Sequence, residues 1–338
     1  MAEDSKKIEP DLIPPDLRRS MLEANMRPLW ESTNTVDDVP EKANLWPAGK
    51  TIAIMERLAQ VSSPEIVERR VSFLLNPNRR TEFDEAISGT ITCSMQLVLP
   101  GEKARSHRHS MNALRFVVQG SGATIVNGKH CDMVAGDLVL TPGWCWHEHM
   151  ADKGEPIIWI DVLDVPIHTL LRTSKFQPGP AKDLPAQSPD ESFAVSGIVP
   201  ISSAPTTPYS PLFRYSIESV DKALGKCAFD DNGSRIVRYT NPLTGTSVLP
   251  ALDCSMLEVR NGGTTKRRTS AASSVCVVVS GSGTSEIGEQ TINWSKGDVF
   301  TVPAGSRARH LATADAKVFM ASNKPVYEAL GLFYETLD

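Results

Sequence analysis

Two stretches decide the fold of this chain: PGEKARSHRH, residues 100–109, and GDLVLTPGWCWHEH, residues 136–149. Each ends in a histidine pair of the form H-x-H. Residues i and i+2 of a β-strand point to the same face of the sheet, so each pair predicts a strand that directs two imidazoles to one side. Neutral imidazole is a common protein ligand for iron, zinc, copper and nickel. The pairs His107/His109 and His147/His149 therefore predict a metal site; scattered surface or hydrogen-bonded core histidines are the alternative.

The composition suits a globular protein of one large or two ordinary domains. Of the 338 residues, 41% are hydrophobic, which is enough to form a hydrophobic core. The charged fraction of 22% is ordinary for a globular protein. A formal net charge of −5 without any basic run argues against a nucleic-acid surface. No apolar stretch approaches the ~18 residues that cross a bilayer.

The first residues and the cysteines bear on location. Residues 1–10 are polar and charged, unlike a signal peptide. The six cysteines form no C-x-x-C pair and are too sparse for a disulfide framework. We therefore expect reduced thiols in a cytoplasmic protein with no membrane and no nucleic-acid partner.

The texture of the sequence changes along the chain. Residues 16–31 carry apolar side chains at helical spacing, and Pro64 to Leu75 predicts a second helix that runs into a strand. From about Ile87 the pattern becomes short alternating apolar segments broken by glycine, proline and asparagine, which predicts an all-β fold. Residues 174–211 are rich in proline and serine and indicate a linker that crosses between domains.

An internal repeat organises this β region. Cys93-Ser94-Met95 recurs at 254–256, a shift of 161 positions. The same shift relates the Gly-Ser-Gly at 120–122 to that at 281–283, and the Gly-Asp at 136–137 to that at 297–298, without a gap. Two copies of one β domain are the economical interpretation. We predict an arm at 1–85, a first domain at 86–170, a linker with connecting strands at 171–245, a second domain at 246–325 and a tail at 326–338.

The repeat shows that only one copy can hold the metal. The shift of 161 places Arg268, Ser270 and Ala308 where the first copy has His107, His109 and His147. His149 alone keeps its partner, His310. We therefore expect a metal site in the first domain and none in the second, which is structural or lends residues to its neighbour.

The two stretches resemble the first and second sequence motifs of cupins. Gly101-x5-His107-x-His109 resembles the first, and Gly136-x5-Pro142 followed by His147 resembles the second. The resemblance implies an all-β bicupin of two double-stranded β-helix barrels with an N-terminal helical arm. Many cupins add a metal-binding glutamate four or five residues after H-x-H, where this chain has Ala113 and Leu114. The implied ligand set is three histidines, with His147 the third by register.

A narrower resemblance is to the gentisate 1,2-dioxygenase family, which includes salicylate, substituted-salicylate and 1-hydroxy-2-naphthoate dioxygenases. It is carried by H-R-H at 107–109, A-L-R-F at 113–116, W-H-E-H at 146–149 and W-x-D-x-L-D at 159–164, with weaker echoes across most of the chain. These enzymes usually have an aromatic residue four positions before Gln96, where this chain has Thr92. That departure leaves open which ring substituent the substrate carries.

This resemblance implies an extradiol-type, Fe(II)-dependent dioxygenase that cleaves an aromatic 2-hydroxy acid with O2, in a homotetramer. The implied catalytic residues are Arg115, as a carboxylate or oxygen ligand, and His149, as an acid/base or orienting group; a surface arginine and a structural histidine are the alternatives. The implied substrate-binding residues are Gln96, Asp161, Arg69, Arg70 and Trp144. The alternative for Arg69 and Arg70 is a pair of solvent-exposed charges. The alternative for Trp144 is a purely structural role, packing at the lip of the barrel.

Other functions fit parts of the pattern. A salicylate- or 1-hydroxy-2-naphthoate-type dioxygenase is the nearest alternative to one acting on gentisate or a 5-substituted salicylate. A metal cupin with isomerase or decarboxylase activity would usually keep the missing glutamate. A ligand-binding or scaffold cupin matches only the second domain.

Overall fold

The computed structural model describes residues 13–24, 26, 41–78, 85–152, 154–195, 197–201 and 207–338. Residues 1–39 and 40–338 form two separate units. In the first unit, helix α1 covers Pro15–Glu23 and is shorter than the helix predicted over 16–31. Residue 25 and residues 27–31 of that prediction lie outside the described residues.

The second unit is built mainly from β-strands, and among its described residues no helix is long and apolar enough to cross a membrane. Its helices are α2 (Ala48–Val61), α3 (Pro64–Val67), α4 (Val165–Leu170), α5 (Ile217–Leu224) and α6 (Lys324–Ala329). A short 3-10 helix covers Asp190–Phe193. The predicted second helix that runs into a strand is present, as α3 followed by a strand at Val71–Phe73.

The strands of the first half are β1 (Leu45–Trp46), β2 (Val71–Phe73), β3 (Ala86–Ser88), β4 (Ile91–Val98), β5 (Lys103–His109), β6 (Ala113–Gln119), β7 (Ser121–Val126), β8 (Lys129–Val134), β9 (Leu138–Thr141), β10 (His147–Ala151), β11 (Ile157–Leu163) and β12 (Phe176–Pro178). The strands of the second half are β13 (Arg214–Tyr215), β14 (Ser234–Tyr239), β15 (Asp253–Val259), β16 (Arg268–Ser270), β17 (Ser274–Ser280), β18 (Ser282–Ile287), β19 (Gln290–Ser295), β20 (Val299–Val302), β21 (Arg307–Ala312), β22 (Ala316–Ser322) and β23 (Glu335–Leu337).

These strands form two barrels, each made of two antiparallel sheets. In the first barrel, the sheet β13-β9-β6-β11-β4-β2, with β3 beside β4, faces the sheet β12-β5-β10-β7-β8. In the second, β1-β20-β17-β22-β15-β14 faces β19-β18-β21-β16-β23. Strands related by the shift of 161 residues occupy the same places in both barrels, so the all-β, two-barrel prediction is confirmed. β12 lies in the segment predicted as a linker, and β23 in the segment predicted as a tail.

The main core lies between the barrels. Strand β4 is buried along its whole length because both of its faces are covered. Cys93, Met95 and Leu97 point to the opposite barrel and share one hydrophobic cluster with residues of β15, β17 and β22. At its centre, the ring of Phe116 stacks on that of Phe319, with centroids 4.1 Å apart and planes 12° apart. The alternate residues of β4 point into the first barrel.

The two halves also exchange edge strands. β1 precedes the first barrel but pairs with β20 of the second, whereas β13 precedes the second barrel but pairs with β9 of the first. The glycine of each repeated Gly-Asp packs against the first residue of the helix that follows the exchanged strand. A side chain at Gly136 would meet Ile217, and one at Gly297 would meet Ala48, at 2.8 and 2.9 Å. The repeat therefore encodes the joint between the barrels as well as the barrels themselves.

Candidate metal centre

Three predicted ligands meet at one end of the first barrel. His107 and His109 lie on β5, and His147 on the neighbouring strand β10, directly opposite His107. One ligand nitrogen from each ring lies within 4.8 Å of the other two. All three residues are buried. A search of the described residues for three or more histidine, cysteine or acidic side chains that could hold a metal ion finds this group.

Backbone carbonyls orient these three rings in the same way. The Nδ1 atoms of His107, His109 and His147 each lie 2.9 Å from a carbonyl oxygen two residues away in the chain. A carbonyl can only accept, so Nδ1 carries the proton and Nε2 keeps its lone pair. Such contacts are typical of metal-ligating histidines, whose second nitrogen donates to a neighbour. Nε2 of His147 is buried without a partner, which fits a metal at this point.

The electrostatic surroundings keep the rings neutral. Burial, followed by the positive charge of Arg69, lowers the pKa of His107 to about 3. Burial and then Arg115 lower the pKa of His109 to about 4. Burial also holds the pKa of His147 well below its usual value, and the neighbouring His107 adds to the effect. Because metals bind the neutral imidazole, this environment prepares all three side chains for coordination.

His149 lies beside the group but faces a different partner. Its Nδ1 is 2.9 Å from the Thr124 hydroxyl, and its Nε2 is buried without a partner. The ring centroid is 5.6 Å from that of His147 and 5.3 Å from that of Trp159. Burial, and then the charge of Arg115, keeps its pKa well below the ordinary value. His149 is thus a neutral ring with one open nitrogen next to the candidate ligands.

Arg115 is held inside the barrel by a short network. Its Nε lies 3.1 Å from Asp161 Oδ1 in a poorly aligned ion pair, and Nη1 donates to the Thr141 hydroxyl. The other Asp161 oxygen accepts from the Trp159 indole at 3.0 Å. Burial raises the pKa of Asp161, while the guanidinium opposes that rise. The charge of Arg115 lowers the pKa of all four nearby histidines.

Two of the predicted substrate-binding residues also face this region. Gln96 points inward from β4, only 2% exposed, and its side-chain nitrogen has no partner. Arg69 approaches from the segment before β2, and its Nη1 lies 2.7 Å from His107 Nε2. Its guanidinium also sits 5.5 Å from the ring of Phe176. The structure therefore brings Arg69, Arg115, Asp161 and His149 together beside the three histidines, and Gln96 lies buried on β4.

Arg70 and Trp144 are placed elsewhere. The Arg70 guanidinium pairs with both oxygens of Glu102, and its Nε donates to the Ser62 carbonyl. Trp144 lies at the rim, 40% exposed, with the Arg108 guanidinium 4.5 Å from its ring. Its backbone has a φ of +64°, in the left-handed region. Neither side chain has a described contact with the histidine group.

Sequence reasoning missed four side chains that shape the site: Thr124, Thr141, Trp159 and Phe176. Trp159 stands two positions before Asp161, so strand parity could have placed both on the inner face. Thr124 has a repeat partner, Ser285, whose hydroxyl contacts His310 at 2.7 Å as Thr124 contacts His149. Phe176 lies with its ring 5.6 Å from His107, on a strand that pairs with β5. No local pattern predicts that pairing.

Two antiparallel double-stranded β-helix barrels, one of them with three convergent imidazoles, are typical of a bicupin. A cupin-domain family model matches residues 94–163. Gentisate 1,2 dioxygenase 1 of Aquipseudomonas alcaligenes is 33% identical, over 94% of this chain and 94% of the relative. A 5-aminosalicylate 1,2-dioxygenase of Comamonas sp is 31% identical, over 99% of this chain and 92% of the relative. The solved structure of salicylate 1,2-dioxygenase from Pseudaminobacter salicylatoxidans superposes with a TM-score of 0.87 at 32% identity, covering 96% of this chain and 98% of that one.

The chain therefore belongs to the gentisate and salicylate 1,2-dioxygenase family of bicupins. The predicted family is confirmed over nearly the whole length. Together with the three-histidine group, these relatives support a ring-cleaving dioxygenase.

Proposed function

We propose that this chain is an Fe(II)-dependent dioxygenase that inserts O2 between the carboxyl-bearing and hydroxyl-bearing ring carbons of gentisate or a related 5-substituted salicylate. The observation that carries the proposal is the convergence of three oriented, buried imidazoles beside the cationic Arg115. Relatives named for gentisate and for 5-aminosalicylate match the chain from end to end, and a solved salicylate 1,2-dioxygenase holds gentisate.

His107, His109 and His147 would hold the iron through Nε2. When bound, Fe(II) supplies open positions for a chelating substrate and the redox chemistry that O2 requires. Zinc has no redox chemistry and would not supply the second. Three neutral ligands leave the site more positive than two histidines and a carboxylate would. A substrate with two anionic oxygens, such as a 2-hydroxybenzoate, suits that charge.

Arg115 is proposed to bind the substrate carboxylate or the reacting oxygen. Its Nη1 donates to Thr141 and its Nε lies beside Asp161 in an ion pair, which restricts the guanidinium. An arginine held in this way presents its remaining N–H groups in a fixed geometry, and a charge-assisted pair is stronger in a buried site than in water. Asp161 and Trp159 then act as positioning residues.

His149 and Gln96 are proposed to contact the substrate's oxygen atoms. A neutral His149 can accept the phenolic proton at Nε2 while Thr124 holds Nδ1. Gln96 has a side-chain N–H free to donate to a substrate oxygen. Once metal takes His107 Nε2, the Arg69 guanidinium must leave that nitrogen and is available to a carboxylate at the mouth. Arg70 and Trp144 support the rim in this proposal.

Thr92 favours a substrate with a polar ring substituent. Its side chain points into the barrel from β4, is fully buried, and its hydroxyl has no partner. A buried hydroxyl without a partner costs about 1–3 kcal/mol, and a substituent that can hydrogen-bond would recover this. A hydroxyl or amino group, as in gentisate or 5-aminosalicylate, fits better than the second ring of a hydroxynaphthoate.

The proposal is tested by metal analysis of the purified protein together with oxygen uptake. The panel is gentisate, 5-aminosalicylate, salicylate and 1-hydroxy-2-naphthoate, each with iron-loaded and zinc-loaded protein. We expect uptake with iron alone, fastest with gentisate or 5-aminosalicylate. An iron-replete protein that consumes no oxygen with any of the four would overturn the proposal. Light scattering on the same sample tests the expected homotetramer, and cell fractionation tests the expected cytoplasmic location.

A further inference from the structure

The second barrel contains a cavity of about 380 Å³ at the position that the histidine group occupies in the first. The correspondence is direct, because the repeat partners of the three candidate ligands and of His149 all line it: Arg268, Ser270, Ala308 and His310. A cavity of this volume falls in the range of small-molecule sites. Among the described residues, no three histidine, cysteine or acidic side chains converge in it as the three histidines do in the first barrel.

Two of the candidate ligand positions carry small side chains in the second barrel, Ser270 in place of His109 and Ala308 in place of His147, which leaves space at this end of the barrel. Deeper in, Trp294 and Phe300 stack with centroids 6.3 Å apart and fill the interior. Above them, Ala308 stands where the first barrel has an imidazole, and Leu257, Val302 and Met320 form apolar walls. The chamber therefore combines apolar walls with polar side chains such as Arg268 and Lys266.

One polar group of this chamber lacks a partner. Arg268 Nε is buried and unpaired, although the same guanidinium contacts Glu335 of β23 through Nη2. Lys266 also lines the chamber and adds positive charge. The nearby Asp230 already accepts from the backbone N–H groups of Asn232 and Ser234. The guanidinium is thus a cation that Glu335 engages through Nη2 and that keeps one N–H unpaired, so a second anionic acceptor suits it.

We propose that the second barrel binds a small organic monocarboxylate with an apolar body about the size of benzoate. Its carboxylate pairs with the Arg268 guanidinium, and its body packs against Leu257, Val302 and Met320. The inference concerns a site separate from the proposed iron centre and does not depend on ring cleavage.

The test uses benzoate, with neutral benzamide as the uncharged probe, and calorimetric titration of the full-length protein. Arg268→Gln should weaken one binding site at least ~10-fold, which corresponds to about 1.4 kcal/mol. Arg267→Gln is the matched control, because Arg267 is the adjacent residue and pairs instead with Glu286. Ala308→Leu, which fills the chamber, should abolish the same site. Benzamide should bind more weakly than benzoate.

Crystals soaked with 4-bromobenzoate locate the site by anomalous diffraction. Bromine in the second barrel, together with the loss in Arg268→Gln, supports the proposal. Bromine in the first barrel alone, or equal benzoate affinity in the Arg268→Gln and Arg267→Gln proteins, overturns it. Thermal unfolding of each variant shows whether it is folded, and the bromine position in the unmodified protein decides the question if a variant is not. Oxygen uptake should stay within about threefold of the unmodified protein in both arginine variants, so failure here is distinct from failure of the proposed reaction.

Discussion

The Asp137 carboxylate of the first barrel accepts a hydrogen bond of 2.8 Å from the backbone N–H of Ile217, the first residue of α5. The repeat reproduces this contact, since Asp298 of the second barrel accepts from Ala48, the first residue of α2, at 2.7 Å. The first N–H groups of a helix have no partner within it, and a carboxylate also favours the positive end of the helix dipole. Each barrel therefore anchors the helix that precedes the other one.

Replacing Asp298 should destabilise the whole unit. Asp298→Ala leaves the Ala48 and Ser295 N–H groups without their acceptor, so we expect a loss of about 2–4 kcal/mol in the free energy of unfolding. Asp298→Asn should lose less, and metal content should not change. Denaturant unfolding gives the values. Glu289→Ala, an exposed position in the same barrel, is the control and should stay within about 0.5 kcal/mol. An equally small effect of Asp298→Ala would contradict the anchoring role.

The ligand assignment predicts which histidines carry metal. His147→Ala should lose most bound metal and all oxygen consumption, because two imidazoles do not complete the site. His310→Ala is the matched control: a buried histidine on the equivalent strand of the barrel that lacks the triad. Elemental analysis of both proteins after identical iron loading measures the difference. Full metal content in His147→Ala, or a second stoichiometric metal lost in His310→Ala, would refute the assignment.

Arg115 should matter for catalysis and not for metal binding. Arg115→Leu should retain iron but lose activity by roughly 30-fold or more, because removing one partner of a buried charged pair costs ~2–5 kcal/mol. Arg115→Lys should recover only part, since an ammonium lacks the planar two-point contact. Arg309→Leu, which removes an outward arginine paired with Glu286, is the control. Steady-state kinetics within about threefold of the unmodified enzyme, ~0.7 kcal/mol, would exclude the role.

Thr92 should influence substrate choice. Thr92→Val keeps the shape of the side chain but removes the unpartnered hydroxyl. We expect kcat/KM for gentisate to fall by about 3–10-fold and that for salicylate to change little, since the loss of one neutral hydrogen bond costs ~0.5–1.5 kcal/mol. The ratio of the two kcat/KM values is the measurement. Parallel loss on both substrates would show that the hydroxyl supports the fold and not the choice of substituent.

His310 should make stability depend on pH. Burial, and then the charge of Arg268, lowers its pKa to about 4, whereas in the unfolded chain it is near 6.5. Between these values the unfolded chain takes up a proton that the folded chain refuses, so stability falls as the pH falls. Relative to His310→Gln, the unmodified protein should lose roughly 2 kcal/mol between pH 6.5 and 4.5. The other buried histidines are common to both proteins and cancel. Parallel pH profiles would show that the folded state protonates His310 normally.

Much of the architecture could be predicted because the repeat is visible in the sequence. The H-x-H pairs place their rings on one face through strand alternation alone, and the shift of 161 identifies the barrel without a triad. The placement of Arg70 could not be predicted in this way. Its neighbour Arg69 reaches His107, while Arg70 turns to Glu102, and adjacent arginines in one irregular segment carry no periodic signal that separates them.

The sequence by itself determined the strand periodicity, the doubled barrel and the two H-x-H pairs that supply the convergent histidines, because these follow from spacing along the chain. Only the tertiary structure decided what surrounds them. Thr141 against Arg115, Phe176 against His107 and the exchanged edge strands each join residues that are distant in sequence. The chamber around Arg268 likewise appears only once the barrel is closed, because the size of an interior depends on the summed volumes of side chains from several strands.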